Sequence, residues 1–353
     1  MSQLQSLFRH KSCLLVAEVG QAHDGSLGTA YAMVDAAAEA GADAVKFQTH
    51  IAAEESTPAE PWRVPFSVQD KSRYEYWKRM EFSSEMWFGL AAYARSKGLL
   101  FLSSPFSVAA ADMLAGLDMP LWKVASGEVA NLPLIDRMLA TGAPLLISTG
   151  LCTIDELDAC VARARSAGRE FLVLQCTTAY PCPPEKIGLN LLDYYSDRYQ
   201  CRVGLSDHSG TIFPGIVAAA IGAAIVEVHV VFSKRAFGPD VSSSLTFEQL
   251  RELADGMAFV ERMRRHPLDK AAAVRELEPL RHMFARSLVA RTDLPAGTVL
   301  AESMVAAKKP GGGMPPERLP AIVGRTLRRP VTADEPFADD DFDAIAHPHG
   351  GDA

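Results

Sequence analysis

Eight short, almost continuously apolar runs punctuate the first three-quarters of this chain, and helix-period stretches separate them. The runs are Leu14–Val19, Ala44–Gln48, Leu99–Ser103, Leu121–Ala125, Pro144–Ser148, Phe171–Cys176, Arg202–Leu205 and Ile225–Val230. A strand that is apolar at nearly every position is buried on both faces, as strands are in parallel sheets covered by helices. The intervening segments Thr29–Ala40, Glu85–Ser96, Ile154–Ala167 and Phe247–Met263 are amphipathic. Two of them start on capping-box spacings, Thr153-Ile-Asp-Glu156 and Thr246-Phe-Glu-Gln249. About eight such units predict an α/β fold of the (β/α)8 TIM-barrel type. A doubly wound sheet would carry a Gly-rich phosphate turn after its first strand, and Gly20-Gln-Ala-His-Asp-Gly25 does not match that fingerprint.

With 353 residues there is chain for a barrel of about 250 residues and a small second module. The expected division is a barrel over 1–265, a charged helical linker over 266–285, a strand-rich module over 286–345 and a disordered tail over 346–353. A net charge of −8 excludes nucleic acid as a bulk partner, since nothing is in excess to neutralise phosphates. The absence of a signal-peptide core or a long apolar run predicts a cytoplasmic protein without a membrane segment. The six cysteines form no C-x-x-C pair and read as buried free thiols.

A barrel gains nothing structural from polar groups at the C-terminal ends of its strands, so those residues carry the functional information. They are Glu18, Lys46, Gln48, Ser104, Lys123, Ser126, Glu128, Ser148, Thr178, Tyr180, Ser206, His208 and His229. Lys46 and Lys123 with several serine hydroxyls suit a phosphate or carboxylate, although either lysine could instead pair with Asp43 or Glu128. Of the nine histidines, only His208 and His229 close apolar runs. On consecutive strands, their imidazoles suit Mn2+, Fe2+ or Zn2+, with water and substrate oxygens completing the shell. The long polar connection from Thr49 to about Glu81, with Arg63, Arg73 and Tyr74, reads as a binding loop or lid.

Seven segments then fall in one order: Ala17-Glu-Val-Gly-Gln-Ala-His-Asp-Gly25, Val45-Lys-Phe-Gln-Thr49, Phe101-Leu-Ser-Ser-Pro-Phe106, Trp122-Lys-Val-Ala-Ser-Gly-Glu128, Cys176-Thr-Thr-Ala-Tyr-Pro181, Leu205-Ser-Asp-His-Ser209 and Gly238-Pro-Asp240. In these the chain resembles the sialic acid (nonulosonate) synthases, and its C-terminal module resembles their antifreeze-like (SAF) domain. The resemblance implies a transferase that condenses phosphoenolpyruvate with an open-chain N-acylated hexose, releasing phosphate. It implies a divalent cation, Mn2+ or Mg2+, on His208 and His229. It gives phosphoenolpyruvate to Lys46, Ser104, Lys123, Ser126, Ser148 and Ser206. Gln48, Phe106, Glu128, Tyr180 and Asp240 fall on the sugar side, and Glu18 serves proton transfer or water positioning. It also implies a homodimer in which the SAF domain caps the partner's barrel through Lys308-Lys-Pro-Gly311, where Lys309 replaces the usual arginine. Ala22, Asp24, Thr178 and Val230-Val231 depart from the family pattern too. Two other readings of the same residues are a metal-dependent barrel aldolase or isomerase that does not use phosphoenolpyruvate, and a non-catalytic binding protein.

Overall fold

The computed structural model describes residues 3–343; the expected tail, 346–353, lies outside them. Contacts divide the chain into two compact units, with the boundary between His266 and Pro267.

In the first unit, β1 (Leu14–Gly20), β2 (Ala44–Thr49), β3 (Leu100–Pro105), β4 (Trp122–Val124), β5 (Leu145–Ser148), β6 (Phe171–Cys176), β7 (Arg202–Asp207) and β8 (Ile225–Val231) pair in parallel in the order β3-β2-β1-β8-β7-β6-β5-β4. β3 and β4, the ends of that path, lie against each other, so the sheet curls into a nearly closed barrel. A two-residue strand, β9 (Leu245–Thr246), adds to β8. The expected runs and the observed strands agree to within one or two residues at each end. Both capping boxes form, at Thr153/Glu156 and Thr246/Gln249.

Strand side chains alternate between two faces, and here each face has its own core. One set, including Leu15, Ala17, Val45, Phe47, Phe101, Trp122, Ile147, Val173, Leu205, Val226 and Val228, packs with the helices outside the barrel. The alternate set, Leu14, Val16, Ala44, Leu102, Leu121, Leu146, Leu172, Leu174 and Ile225, fills one end of the interior. Leu4, on the N-terminal helix Gln3–Leu7, joins that inner cluster, and its backbone N–H donates to Glu170 Oε2 at 3.2 Å. Two residues further along the same interior face, six of the eight strands become polar. Val16 is followed by Glu18, Ala44 by Lys46, Leu102 by Ser104, Leu121 by Lys123, Leu146 by Ser148 and Ile225 by Glu227 and His229. Period-2 alternation and strand direction therefore gather the polar residues at the C-terminal end.

The second unit contains the antiparallel pair β10 (Ser287–Ala290) and β11 (Val305–Lys308), single bridges such as Leu294 to Val331, and its own core of Leu288, Leu300, Ile322, Leu327, Phe337 and Phe342. Two short helices, Lys270–Glu276 and Glu278–Phe284, occupy the stretch expected to link the units. All six cysteines are free thiols. No helix among the described residues is long and apolar enough to cross a membrane.

Candidate active site

Four charged side chains interlock inside the C-terminal end of the barrel, none more than 4% exposed. Lys46 Nζ lies 2.8 Å from Glu18 Oε2, 3.6 Å from Glu227 Oε1 and 3.3 Å from Ser104 Oγ. Glu227 Oε1 also accepts from Lys123 Nζ and from Ser206 Oγ, each at 3.0 Å. Burial alone would lower the pKa of Lys46, but the Glu18 and Glu227 carboxylates outweigh it and hold the ammonium above its ordinary value. For Lys123 burial prevails over the attraction of Glu227, with help from the like charge of Lys46, and the pKa falls. Burial would raise Glu227, yet Lys123 and Lys46 hold it well below the usual carboxylate range. The lysines pair across the barrel and not with the sequence-near alternatives: Asp43 binds Lys11, and Glu128 accepts from Asn131 at 2.7 Å.

Glu227 was not among the residues singled out in the sequence, although a carboxylate two positions before His229 in an apolar strand shares its face. The quartet's two positive and two negative charges cancel. Its polar capacity is not exhausted: Glu227 Oε2 and the buried hydroxyls of Ser148 and Thr178 have no hydrogen-bond partner. Glu18 Oε2 meets Lys46 as an ion contact without hydrogen-bond alignment.

The two histidines stand beside this quartet with ring centroids 5.3 Å apart. His208 Nδ1 is 2.9 Å from the Thr177 carbonyl, which can only accept, so Nδ1 carries the proton and Nε2 keeps its lone pair. Nε2 lies 3.3 Å from the hydroxyl of Tyr180, whose ring stacks on His208 at 4.3 Å. Burial, reinforced by His229, pulls the His208 pKa down to about 4, so the ring is neutral at pH 7. His229 Nδ1 lies 3.9 Å from Asp240 Oδ2.

A cleft of about 370 Å³ opens beside His229, which lines it with Gln48, Phe106, Ser126, Glu128, Tyr180 and Asp240 and with His50, Glu55, Trp62, Arg63 and Trp77 from the long β2 connection. That connection does reach the site. Arg63 donates to Asp240 Oδ1 at 2.8 Å, and its guanidinium lies 4.2 Å over the Tyr180 ring. Burial raises the pKa of Glu128, against the opposing hydrogen bond from Asn131. Lys309 belongs to the second unit, where its ammonium lies 4.6 Å over the Phe284 ring. The structure thus gathers every site residue expected on the barrel at one end, with Glu227, His50, Glu55 and Gln21 added.

Residues 33–267 match the family model described as NeuB family, and 285–343 match the SAF domain. The first match alone spans more than half of the chain. This chain belongs to the NeuB family. It is 31% identical over 333 residues to the human N-acetylneuraminate-9-phosphate synthase, covering 92% of this chain and 90% of the relative. It is 30% identical over 330 residues to the N,N'-diacetyllegionaminic acid synthase of Legionella pneumophila, covering 91% and 92%. A solved N-acetylneuraminic acid synthetase from Leptospira borgpetersenii, in complex with citrate, superposes with a TM-score of 0.66 at 25% identity, over 75% of this chain and 90% of that one. Like its NeuB-family relatives, the chain is a synthase, a carbon–carbon bond-forming transferase.

Proposed function

We propose that this NeuB-family synthase condenses phosphoenolpyruvate with the aldehyde of an open-chain N-acylated hexosamine, giving a nonulosonic, sialic-acid-like acid and inorganic phosphate. The observation that carries the reading is the adjacency of two imidazoles, with ring centroids 5.3 Å apart, to a buried ammonium–carboxylate quartet, with His229 lining a cleft of sugar size. The relatives' names and the resemblance of the seven segments support it.

His208 and His229 would hold a divalent cation, Mn2+ or Mg2+. The donor chemistry fits: both rings line one site, and His208 presents an unprotonated Nε2. No cluster of three or more ligating side chains occurs among the described residues, so substrate and water oxygens would complete the shell. Such an ion supplies Lewis-acid polarisation of a carbonyl.

The rest is derived from the chain's own groups. Lys46, Ser104, Lys123, Ser126, Ser148 and Ser206 bind phosphoenolpyruvate. Lys123 spends one hydrogen bond on Glu227, and an ammonium has three donors. Gln48, Phe106, Glu128, Tyr180 and Asp240 orient the sugar. The C3 carbon of phosphoenolpyruvate attacks the aldehyde carbon, whose oxygen takes up a proton. Water adds at C2 and loses a proton, with Glu18 placed to position it or to accept that proton. The C2–O bond to phosphate then breaks as the 2-keto group forms. One phosphoenolpyruvate, one aldehyde and one water thus become one keto acid and one phosphate. Donors fixed in a dry interior stabilise the departing phosphate more than water would.

The same reading includes a cytoplasmic homodimer in which Lys309 reaches the partner's sugar site, on the strength of the family resemblance. One observation favours a second reading, an aldolase acting on a neutral sugar: the quartet's charges cancel. Calorimetry separates the two. Phosphoenolpyruvate should bind the wild type and bind more tightly with Mn2+, and His208→Ala should abolish the gain from Mn2+. No heat with or without metal would favour the neutral substrate.

A further inference from the structure

A buried polar file leads from the sugar cleft to Glu18, and the condensation as derived leaves most of it unused. His50, directly after β2, is 2% exposed and lies flat between Trp77 and Phe106, at 4.2 and 4.6 Å. Its Nδ1 is 2.7 Å from Glu55 Oε1, and its Nε2 is 2.9 Å from Gln21 Nε2. The same Gln21 nitrogen reaches Gln48 Oε1, and Gln48 Nε2 lies 2.8 Å from Glu18 Oε1.

The file fixes its own polarity, because it ends on a carboxylate at each side. Glu18, whose other oxygen meets the Lys46 ammonium at 2.8 Å, takes the accepting role, so Gln48 must turn its NH2 towards it and its oxygen towards Gln21. Gln21 must then present its NH2, whose two hydrogens serve Gln48 and His50. His50 Nε2 is therefore an acceptor, and the ring proton sits on Nδ1, donated to Glu55. With the proton on Nε2, donor would face donor at Gln21. Relief would require both amides to turn, which would aim the Gln48 oxygen at the Glu18 carboxylate. The aromatic sandwich keeps the imidazole plane fixed throughout.

We propose that His50 and Glu55 are positioning residues which, through Gln21 and Gln48, hold Glu18 as an oriented, accepting carboxylate at the reacting centre; this rests on the role given to Glu18 above. They touch no reacting atom. Outer groups of this kind set the orientation and hydrogen-bonding state of the groups that do, and losing one costs about 10- to 100-fold in metal sites where it has been measured.

Two variants and one spectrum test this on the full-length chain. His50→Phe keeps the sandwich and removes both ring nitrogens. His50→Gln restores an oxygen towards Gln21 and an NH2 towards Glu55. The expected result is a loss of about 10- to 100-fold in kcat for His50→Phe, with both Michaelis constants nearly unchanged and most of kcat recovered in His50→Gln. That split marks an interaction made in the transition state. In 15N-histidine spectra, the His50 ring, assigned by its absence from His50→Gln, should be neutral with its proton on Nδ1. A His50→Phe enzyme of unchanged kcat, one that only raises the sugar Michaelis constant, or a proton on Nε2 would each overturn the proposal. If His50→Phe does not fold, the wild-type tautomer decides. A wild type that condenses no sugar refutes the proposed function instead, and the two failures are told apart because the tautomer is read without turnover.

Discussion

Glu227→Gln removes one of two anions facing two ammonium groups while keeping the shape of the side chain. Its amide oxygen can still accept from Lys123 and Ser206, now 3.0 Å away, but the quartet is left with one uncompensated positive charge. Breaking a buried ion pair from one side costs about 3–5 kcal/mol. The barrel can limit the loss by releasing the Lys123 proton, because burial already holds that pKa below its ordinary value of 10.5. The sign follows from proton linkage. Without Glu227 the folded-state pKa of Lys123 drops further, so the folded variant binds fewer protons than its unfolded chain. Its stability therefore falls as pH drops below the ordinary lysine value and recovers as pH rises towards it. At the lower figure of about 3 kcal/mol, and roughly 2–4 °C per kcal/mol for a domain of this size, Tm at pH 7 should fall by about 6–12 °C. The deficit should shrink towards pH 10. If the lysines bind phosphoenolpyruvate as proposed, it should raise Tm more in the variant than in the wild type. Scanning calorimetry at several pH values reads all three effects on the barrel's own transition. An unchanged Tm at pH 7, or a deficit independent of pH, would refute the argument that the four charges act as one balanced group.

His23 supplies a second pH test away from His208 and His229. Burial, reinforced by the positive charge of Arg79, pulls its pKa from 6.5 to about 3. The unfolded chain takes up the proton first, so stability is lost as pH falls through that window, by up to about 1.4 kcal/mol per pH unit. Urea unfolding of His23→Gln should lack that slope; an identical pH dependence would contradict the assignment. Replacing Lys309 by alanine should raise the sugar Michaelis constant more than that for phosphoenolpyruvate, and an unchanged sugar constant would refute its role. His208→Ala or His229→Ala, like a chelator, should abolish phosphate release, whereas turnover that survives all three would rule out the metal.

The barrel was legible because two-sided burial writes itself into sequence as continuous apolar runs, and the capping boxes mark helix starts by local chemistry. Strand-end residues such as His208, His229 and Lys46 were legible because their polarity breaks those runs. Glu227 was harder to see, since a single carboxylate within Ile-Val-Glu-Val-His has no partner nearby in the chain. Its partner Lys123 lies 104 residues away and meets it only when the barrel curls. Asp43 and Glu128 lie nearer in sequence, yet closure of the sheet brings Lys46 and Lys123 to Glu18 and Glu227. His50, Glu55 and Arg63 sit on the long β2 connection, where no periodicity says which way a side chain faces. Lys309 falls within the strand-rich stretch 286–345, and only its sugar-side role rests on the resemblance.

The proposed reaction joins C3 of phosphoenolpyruvate to the aldehyde carbon of a sugar. Phosphoenolpyruvate labelled with 13C at C3 and an N-acylated hexosamine labelled at C1, incubated with the enzyme and Mn2+, test it in one spectrum. A single product with a one-bond 13C–13C coupling and one phosphate released per product is expected. Phosphate released with the label recovered in pyruvate, or no reaction across a panel of such sugars, would contradict it.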